Sequence, residues 1–210
     1  DYTTKADFVM PDLNKVLGSE KYKVVNEDIK EALQNEPNFV PTEAKISFVN
    51  ALSEIGARDI EETAFASPKW VPQLQDATEV MRGIRQKDGV AYSVLVPNMR
   101  GFDRAMEAGV QKIAVFTAAS EGFNNKNINT SIDGSFERMT PVVRAAQDAG
   151  IAYRGYVSTA FWCPYDGKVA PEKAADVIER LADMGVTDVS IGDTIGKAQP
   201  DEVRALLDVV

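Results

Sequence analysis

Apolar residues recur along the chain at two alternating periods. From about residue 43, stripes with the spacing of helices appear, each typical of a helix with one buried face. These stripes are Ile46, Val49, Leu52 and Ile55; Val177, Leu181 and Met184; and Val203, Leu206, Leu207 and Val210. Short runs rich in residues that favour strands lie between the helical segments. The runs are residues 59–64, 90–96, 112–117, 151–158 and 188–191, and residues 22–25 are a candidate for a sixth.

A glycine stands shortly before several of the predicted strands, at Gly56, Gly109, Gly150 and Gly185. Glycine tolerates the left-handed conformation that commonly follows a helix C-terminus, so each of these positions predicts a helix end, a turn and then a strand. Pro200 fits the first turn of the last helix, where its missing N–H is not needed.

Strands and helices that alternate at this spacing predict a parallel sheet built from βαβ units. A doubly wound open sheet and a (β/α)8 barrel both fit. No G-x-G-x-x-G follows a strand, and polar clusters follow several strand ends, which form the active-site face of a barrel. We therefore predict the α/β class, as a TIM (β/α)8-type barrel. A complete barrel has eight strands and about 250 residues.

The strand count predicts an incomplete barrel with about six of its eight β/α units present. We expect one barrel domain over residues 1–210, with 1–22 as an N-terminal extension. The last helical stripe runs to Val210 without a capping residue behind it. We interpret the sequence as a fragment that lacks the C-terminal units, or else as a natural short variant that closes by pairing with a partner.

Composition narrows the classes of function. The net charge is −9 with scattered charges, so nucleic-acid binding, which needs clustered Lys and Arg, is disfavoured. No stretch approaches the roughly 18 apolar residues of a membrane span. The single cysteine and the lack of a secretory signal suggest a cytoplasmic protein, or a mitochondrial matrix protein whose transit peptide has been removed. The chain has no histidine, which excludes Ser–His–Asp and histidine–metal chemistry for this polypeptide acting alone.

Two carboxylates lie at predicted strand ends. Glu61 lies in the short strand 59–64, where an acidic side chain needs a partner or a function, and an ion pair inside the barrel and an active-site role fit equally. Asp193 directly follows the strand 188–191. It could ligate or orient a metal, act as a base, or cap the next helix, although residues 198–200 lie nearer the start of that helix.

Two loops also contain reactive or polar side chains. Cys163 lies in the segment 158–167, and we interpret it as a packed thiol, because no histidine is available to activate it as a nucleophile. The segment 120–129 is dense in asparagine, which is typical of turns. It follows the strand 112–117 and should overhang the same face.

Six segments together are more specific than generic barrel loops. They are S-P-K-W-V-P-Q at 67–73, V-L-V-P-N at 94–98, S-E-G-F with K-N-I-N within 120–129, R-G-Y-V-S at 154–158, C-P-Y-D-G at 163–167 and G-D-T-I-G at 192–196. In order and spacing they resemble the 3-hydroxy-3-methylglutaryl-CoA lyase family, metal-dependent TIM-barrel carbon–carbon lyases. The resemblance runs from about Leu33 to the C-terminus.

The resemblance implies a TIM barrel, a divalent metal (Mg²⁺ or Mn²⁺) and an acyl-CoA substrate. The implied reaction is retro-Claisen cleavage of 3-hydroxy-3-methylglutaryl-CoA to acetyl-CoA and acetoacetate. On matching positions, Glu61 and Asp193 look like catalytic carboxylates. Gln34 looks like a substrate-binding residue of the first loop, and Tyr156 and Thr194 look like pocket lining.

The sequence departs from the family at the first strand, where the family normally reads Glu-x-Gly-Pro-Arg-Asp-Gly. Lys30 stands at the position of the catalytic arginine and Glu31 at that of the metal-binding aspartate. Lysine does not replace a bidentate guanidinium. The stretch also predicts a helix, with Asn26 as N-cap and with Ile29 and Leu33 on one face.

A second departure is the ending, since the family's His-x-His pair, metal-binding asparagine and catalytic cysteine loop come later than Val210. Cys163 is not that cysteine, because C-P-Y-D-G matches the earlier loop of the fifth strand. Two further interpretations therefore stay open: a related barrel aldolase or acyl-transferring synthase acting on another acyl-CoA or 2-oxo acid, and a catalytically inactive barrel. The sequence leaves the oligomeric state open, with a homodimer as one option.

Overall fold

The computed structural model describes residues 27–34, 36–55 and 57–210. The helices are α1 (Ile29–Gln34), α2 (Thr42–Glu54), α3 (Ala77–Gly83), α4 (Met99–Glu107), α5 (Glu121–Ile128), α6 (Ile132–Asp148), α7 (Pro171–Asp183) and α8 (Pro200–Leu207). The strands are β1 (Glu27–Asp28), β2 (Asp59–Ala64), β3 (Ala91–Leu95), β4 (Lys112–Ala118), β5 (Ala152–Ser158), β6 (Trp162–Cys163), β7 (Gly167–Lys168) and β8 (Val189–Ile191). The predicted strand 22–25 and the extension 1–22 lie outside the described residues.

The main sheet contains six parallel strands in the order β1-β2-β3-β4-β5-β8. The strands follow the chain order because each is joined to the next by a segment that contains a helix, the arrangement expected of βαβ units. The short strands β6 and β7 form a separate antiparallel hairpin between β5 and α7. The alternation predicted from the sequence is therefore confirmed, with five of the predicted strands matched to within two residues.

Ion pairs across the inside of the sheet show that the sheet is rolled. Arg154 of β5 donates to Asp59 of β2 over 2.7 Å, and Lys112 of β4 lies 2.9 Å from the same carboxylate. Arg154 also contacts Asp188, just before β8, at 2.9 Å. Since β2 and β5 are separated by two strands spaced about 4.8 Å apart, such contacts require the curvature of a barrel. We call these four residues the amino-end cluster, because they lie near the amino ends of their strands.

Helix α2 shows how the apolar pattern and the fold differ in detail. Val49 and Leu52 are buried as predicted, but Ile55 follows the helix and is 77% exposed. Lys45 is buried in addition, because its ammonium group lies 2.6 Å from Asp76 and also donates to a backbone carbonyl. A lysine can join a core only when its charge is matched in this way.

The ends of the helices follow the signals in the sequence. Gly109, Gly150 and Gly185 adopt positive φ angles of 80°, 66° and 90° after α4, α6 and α7. Gly56 lies outside the described residues. Pro200 is the first residue of α8, as predicted, and Gln199 and Glu202 form a capping box there. None of the helices in the described part of the chain is both long and apolar enough to cross a membrane.

The hairpin β6–β7 is joined to α8 through Glu202. The Trp162 indole N–H donates to the Glu202 carboxylate over 3.1 Å, and Lys168 lies 2.7 Å from it. The hydrogen bond from Lys168, followed by those from the Gln199 backbone N–H and from Trp162, lowers the pKa of Glu202 to about 2. These contacts hold the hairpin against the first turn of α8.

Candidate active site

Lys30, Glu61 and Tyr156 come together inside the rolled sheet, and we call them the Lys30–Glu61–Tyr156 cluster. Residues two apart in a strand share a face, so Glu61 lies on the same face as Asp59, one step nearer the carboxyl ends of the strands. Tyr156 likewise lies on the same face of β5 as Arg154, one step nearer the carboxyl end of the strand. Lys30 reaches the cluster from α1, directly after β1.

The Lys30 ammonium group lies 3.3 Å from Glu61 Oε1, and the two side chains are 10% and 1% exposed. Burial raises the pKa of Tyr156 above its ordinary range, and the negative charge of Glu61 and a hydrogen bond between the two side chains raise it further. Tyr156 therefore stays protonated and donates to Glu61. Of the two interpretations left open for Glu61, the ion pair is present, and its position near the strand ends still allows a role in binding or catalysis.

Glu62 is a second buried carboxyl group in β2, and its side chain has no hydrogen-bond partner among the described residues. The pairing with β3 passes from Glu61–Ser93 to Thr63–Val94, so Glu62 is the extra residue of a β-bulge. Burial, and then the nearby charge of Glu61, raise the pKa of Glu62 well above its usual value. A carboxyl group in this setting favours the protonated form.

We expect Glu62→Gln to stabilise the protein at pH 7 by about 1–3 kcal/mol, because a buried carboxyl group without a partner is costly to ionise and glutamine stays neutral. Because the pKa of Glu62 is raised in the folded state, the contribution of this group to stability falls as pH rises above its unfolded pKa of about 4.5. Glutamine carries no titratable group, so the advantage of the variant should grow with pH over this window. Thermal melts between pH 4.5 and 8 measure the effect.

Glu137 is exposed on α6, and Glu137→Gln is the matched control, for which we expect no change that depends on pH in this way. A constant difference between the Glu62→Gln variant and the natural protein at all pH values would contradict the raised pKa.

Asp193 and Thr194 lie in an exposed turn after β8, at the carboxyl end of the barrel. The two carboxylate oxygens of Asp193 accept the backbone N–H groups of Lys197 and Ala198, each over 3.0 Å. Gln199, and not Asp193, caps helix α8, as expected because residues 198–200 lie nearer the start of that helix. Thr194 accepts the backbone N–H of Thr159 over 2.7 Å, so its hydroxyl group ties the turn to the end of β5.

Gln34 and Glu31 both belong to α1. Gln34 is the last residue of this helix and is half-buried, and α1 packs against β2 and against the turn Pro72–Leu74. The side chain of Glu31 lies outside what the structure describes. The helix predicted for this stretch is present, but it begins at Ile29 and not directly after Asn26, because Glu27 and Asp28 pair with β2.

A metal site is not formed by the described residues alone. The part of the chain that the structure describes contains no group of three or more Cys, Asp or Glu side chains that could hold an ion. Beside Glu61, the positive charge is already supplied by Lys30 at 3.3 Å. The resemblance found in the sequence implies a divalent metal. The described residues do not by themselves fit that metal.

Two segments differ from or sharpen the expectations from sequence. Residues 121–128 form helix α5 and not an asparagine-rich turn, with Ser120 at the N-cap position and Asn129 closing the helix at φ 49°. The buried Asn124 side chain donates to Thr117, which explains one of the asparagines.

Cys163 is buried, and its sulfur accepts the N–H groups of Tyr165 and Asp166, so it is a packed thiol as predicted.

Several residues around the site were not identified from the sequence. They are the charged residues Asp59, Lys112 and Asp188, the hydroxyl pair Ser120–Thr159 and the buried Glu62. A charged residue inside a short strand was the available signal for Asp59 and Glu62. Nothing in the sequence indicates which charges meet, because the partners of Arg154 lie 34 and 95 residues away.

Comparison with known proteins places these observations in a family. The family model described as HMGL-like matches residues 21–210. The mitochondrial hydroxymethylglutaryl-CoA lyase of Pongo abelii is 48% identical over 190 residues, and a cytoplasmic 3-hydroxy-3-methylglutaryl-CoA lyase of Mus musculus is 48% identical over 191. These matches cover 90% and 91% of this chain. The chain spans 58% and 56% of the lengths of these relatives.

Solved structures agree with the sequence matches. The HMG-CoA lyase of Brucella melitensis superposes with a TM-score of 0.84 and 53% identity, over 90% of this chain and 68% of that one. An HMG-CoA lyase of Acinetobacter baumannii, solved in complex with coenzyme A and 3-methylmalate, gives a TM-score of 0.82 at 32% identity. That match covers 88% of this chain and 61% of the other. The TIM-barrel fold predicted from the sequence is confirmed, with six parallel strands of the barrel in the described residues.

Proposed function

The chain belongs to the HMGL-like family, and on that premise we propose that the protein cleaves 3-hydroxy-3-methylglutaryl-CoA to acetyl-CoA and acetoacetate. A base takes the proton of the C3 hydroxyl group, the C2–C3 bond breaks as a ketone forms at C3, and the electron pair stays on C2 as a thioester enolate. A proton delivered to C2 then completes acetyl-CoA. The observation that carries the proposal is the buried Lys30–Glu61–Tyr156 cluster near the strand ends of an HMGL-like barrel.

Lys30 supplies the positive charge of this cluster. An ammonium group held in a buried site stabilises negative charge on a substrate oxygen more strongly than it would in water, because the surroundings have a low dielectric constant. Glu61 holds the ammonium group at 3.3 Å, and Tyr156 donates to Glu61 from the opposite strand. In this proposal Glu61 and Tyr156 orient Lys30, and substrate binding brings an oxygen atom to the ammonium group.

Asp193 is the proposed proton acceptor, because it is an exposed carboxylate at the carboxyl end of the barrel with no cationic side chain paired to it among the described residues. Two backbone N–H groups hold it in one orientation. Thr194 and Gln34 are proposed to contact the substrate from the turn after β8 and from α1, respectively.

We propose a divalent metal, Mg²⁺ or Mn²⁺, with Glu31 as one ligand, since carboxylate oxygens are the ligands that both ions prefer. The described residues do not supply a group of three Cys, Asp or Glu ligands by themselves, so we propose that other residues complete the site. Dialysis of the natural gene product against a chelator, followed by addition of either ion, tests the requirement. Full acetoacetate release without any divalent ion would contradict it.

We expect Asp193→Asn to lower kcat by at least about a hundredfold, the lower end of what a general base contributes. Asparagine keeps a similar shape but cannot accept the proton. The measurement is acetoacetate release by the natural gene product and its variant, with circular dichroism melts to compare folding. Asp183→Asn, at the exposed C-terminal end of α7, is the matched control and should leave the rate unchanged. A kcat of Asp193→Asn within threefold of the natural protein would rule out the assigned role.

The salt bridge between Lys30 and Glu61 also favours a second candidate, a barrel that has lost catalysis and is kept for binding. In this case the buried ion pair is only structural. The combined variant Lys30→Arg with Glu31→Asp separates the two: a gain from no turnover to measurable acetoacetate release supports loss of an ancestral activity. Turnover by the natural gene product itself eliminates the second candidate.

A substrate panel covering other acyl-CoA thioesters and 2-oxo acids tests the alternative of a related aldolase or synthase.

We propose a cytoplasmic location, with the mitochondrial matrix as the alternative, since relatives named for each compartment match equally well. Cell fractionation with an antibody to the protein distinguishes the two. A homodimer stays a prediction, and light scattering of the natural gene product measures it.

A further inference from the structure

Thr159 has an unusual backbone conformation for its residue type. It directly follows β5, is fully buried and has a φ angle of 52°. A positive φ is rare for a β-branched residue, and strained residues of this kind cluster at functional sites. The other non-glycine residue with positive φ in the described part of the chain is Asn129, where the end of helix α5 provides an ordinary reason. Thr159 ends no helix.

The left-handed conformation directs two successive N–H groups to one turn. The Thr159 N–H donates to the Thr194 hydroxyl group over 2.7 Å, and the Ala160 N–H donates to the Gly192 carbonyl over 3.1 Å. In a regular strand, successive N–H groups point to opposite sides. A left-handed residue breaks this alternation and lets neighbouring N–H groups converge. Both donors therefore bind the turn 192–194 after β8.

The side chain of Thr159 reaches a third loop. Its hydroxyl group lies 2.9 Å from that of Ser120, and both residues are buried. Ser120 stands between β4 and α5. Thr159 is thus a junction of the loops at the carboxyl ends of β4, β5 and β8, which are neighbours in the sheet.

Asp193 lies between the two residues of the turn that Thr159 and Ala160 bind. On its other side, its carboxylate is held by the N–H groups of Lys197 and Ala198. The turn also approaches the backbone closely, since a Cβ atom at Gly192 would lie 3.2 Å from the Val157 carbonyl oxygen. The position of the Asp193 carboxylate therefore depends on contacts with the end of β5.

We propose that Thr159 is a positioning residue that holds the turn carrying Asp193 in place through its left-handed backbone and its link to Ser120. The inference rests on the proposed function only in that Asp193 takes the substrate proton. The assignment of Thr159 as the holder of the turn can be tested without any turnover.

Matched pairs of variants of the natural gene product isolate the contacts. Thr159→Ala and Thr159→Ser both remove the β-branch, and only serine keeps a hydroxyl group for Ser120. Thr194→Val and Thr194→Ser compare loss and retention of the acceptor for the Thr159 N–H. Hydrogen exchange of the Lys197 and Ala198 amides reports whether the turn is held, and steady-state kinetics report the effect on cleavage.

We expect the two amides to exchange about fivefold to tenfold faster in Thr159→Ala and Thr194→Val, the factor associated with loss of one hydrogen bond. The two serine variants should exchange at the natural rate. Amides of β4 should keep their protection in all four variants, because the effect is confined to the turn. Acetoacetate release should show a lower kcat with an unchanged KM in Thr159→Ala, which leaves the proposed substrate contact of Thr194 in place.

Equal exchange at Lys197 and Ala198 in the alanine, valine and natural proteins would overturn the proposal. Faster exchange throughout β4 as well would also overturn it, since Thr159 would then only support the fold. If Thr159→Ala does not fold, the Thr194 pair tests the same backbone contact. If the natural protein releases no acetoacetate, the proposed function fails while the exchange result still decides the role of Thr159.

Discussion

Replacing Arg154 with leucine is expected to lower the free energy of unfolding by about 3 kcal/mol, near the lower limit for breaking a buried ion pair. The guanidinium group is buried and contacts Asp59 at 2.7 Å and Asp188 at 2.9 Å. Its pKa lies above the ordinary range, because hydrogen bonds and charges of the two aspartates outweigh burial, so its charge is permanent. Without it, two carboxylates share the single charge of Lys112.

We place the loss at the lower limit because Asp188 is 46% exposed and can be solvated by water, whereas Asp59 is 21% exposed. For a chain of this size, about 3 kcal/mol corresponds to a fall in Tm of roughly 6–12 °C. Thermal melts of the natural gene product measure the change. Arg144→Leu, at an exposed position on α6, controls for the change of residue type and should shift Tm by less than about 2 °C. Similar melts for the two variants would show that the amino-end cluster does not stabilise the barrel.

Replacing Glu61 with glutamine is the second change with a large expected effect. It removes the carboxylate charge 3.3 Å from the Lys30 ammonium group, in a site where the two side chains are 10% and 1% exposed. We expect a loss of about 3–5 kcal/mol in the free energy of unfolding, since breaking a buried pair leaves a charge without its counter-charge. Glutamine still accepts the Tyr156 hydroxyl hydrogen bond, so the effect reports mainly on the charge.

The double variant Lys30→Met with Glu61→Gln is the matched control for stability. It removes both charges, and exchange of a buried ion pair for neutral side chains of similar size is often close to neutral. We therefore expect the double variant to recover most of the lost stability but none of the activity, because Lys30 is then absent. A double variant as unstable as Glu61→Gln would show that the ion pair is not the source of the loss. A stable and fully active double variant would refute the function proposed for Lys30.

The element order could be predicted because it depends on local chemistry. The predicted strand 112–117 and the β4 of the structure nearly coincide, since a run of β-forming residues that follows Gly109 has few alternatives. The turn predicted for segment 120–129 was wrong, because that prediction also depended only on local residue preference. Asparagine favours turns locally, but burial of Asn124 against Thr117 and a left-handed Asn129 stabilise a helix there.

The candidate site could be predicted only in part from the sequence. Glu61 and Asp193 could be selected because a carboxylate at a strand end is unusual, and Tyr156 because R-G-Y-V-S matches a family motif. That Tyr156 donates to Glu61 could not be derived, since the two residues are 95 positions apart and meet only because the sheet is rolled. The same holds for Thr159, whose φ angle no residue type would suggest.

The sequence by itself determined the alternation of strands and helices, the helix ends at glycine and the family. Each of these depends on residue type and short-range spacing, which the chain carries before it folds. Only the tertiary structure decided which charges are neutralised, that Lys30 faces Glu61 and that Thr159 joins three loops. It also decided that Glu62 is buried with no hydrogen-bond partner among the described residues. Those properties arise from distances between residues far apart in the chain, and the curvature of the barrel sets these distances.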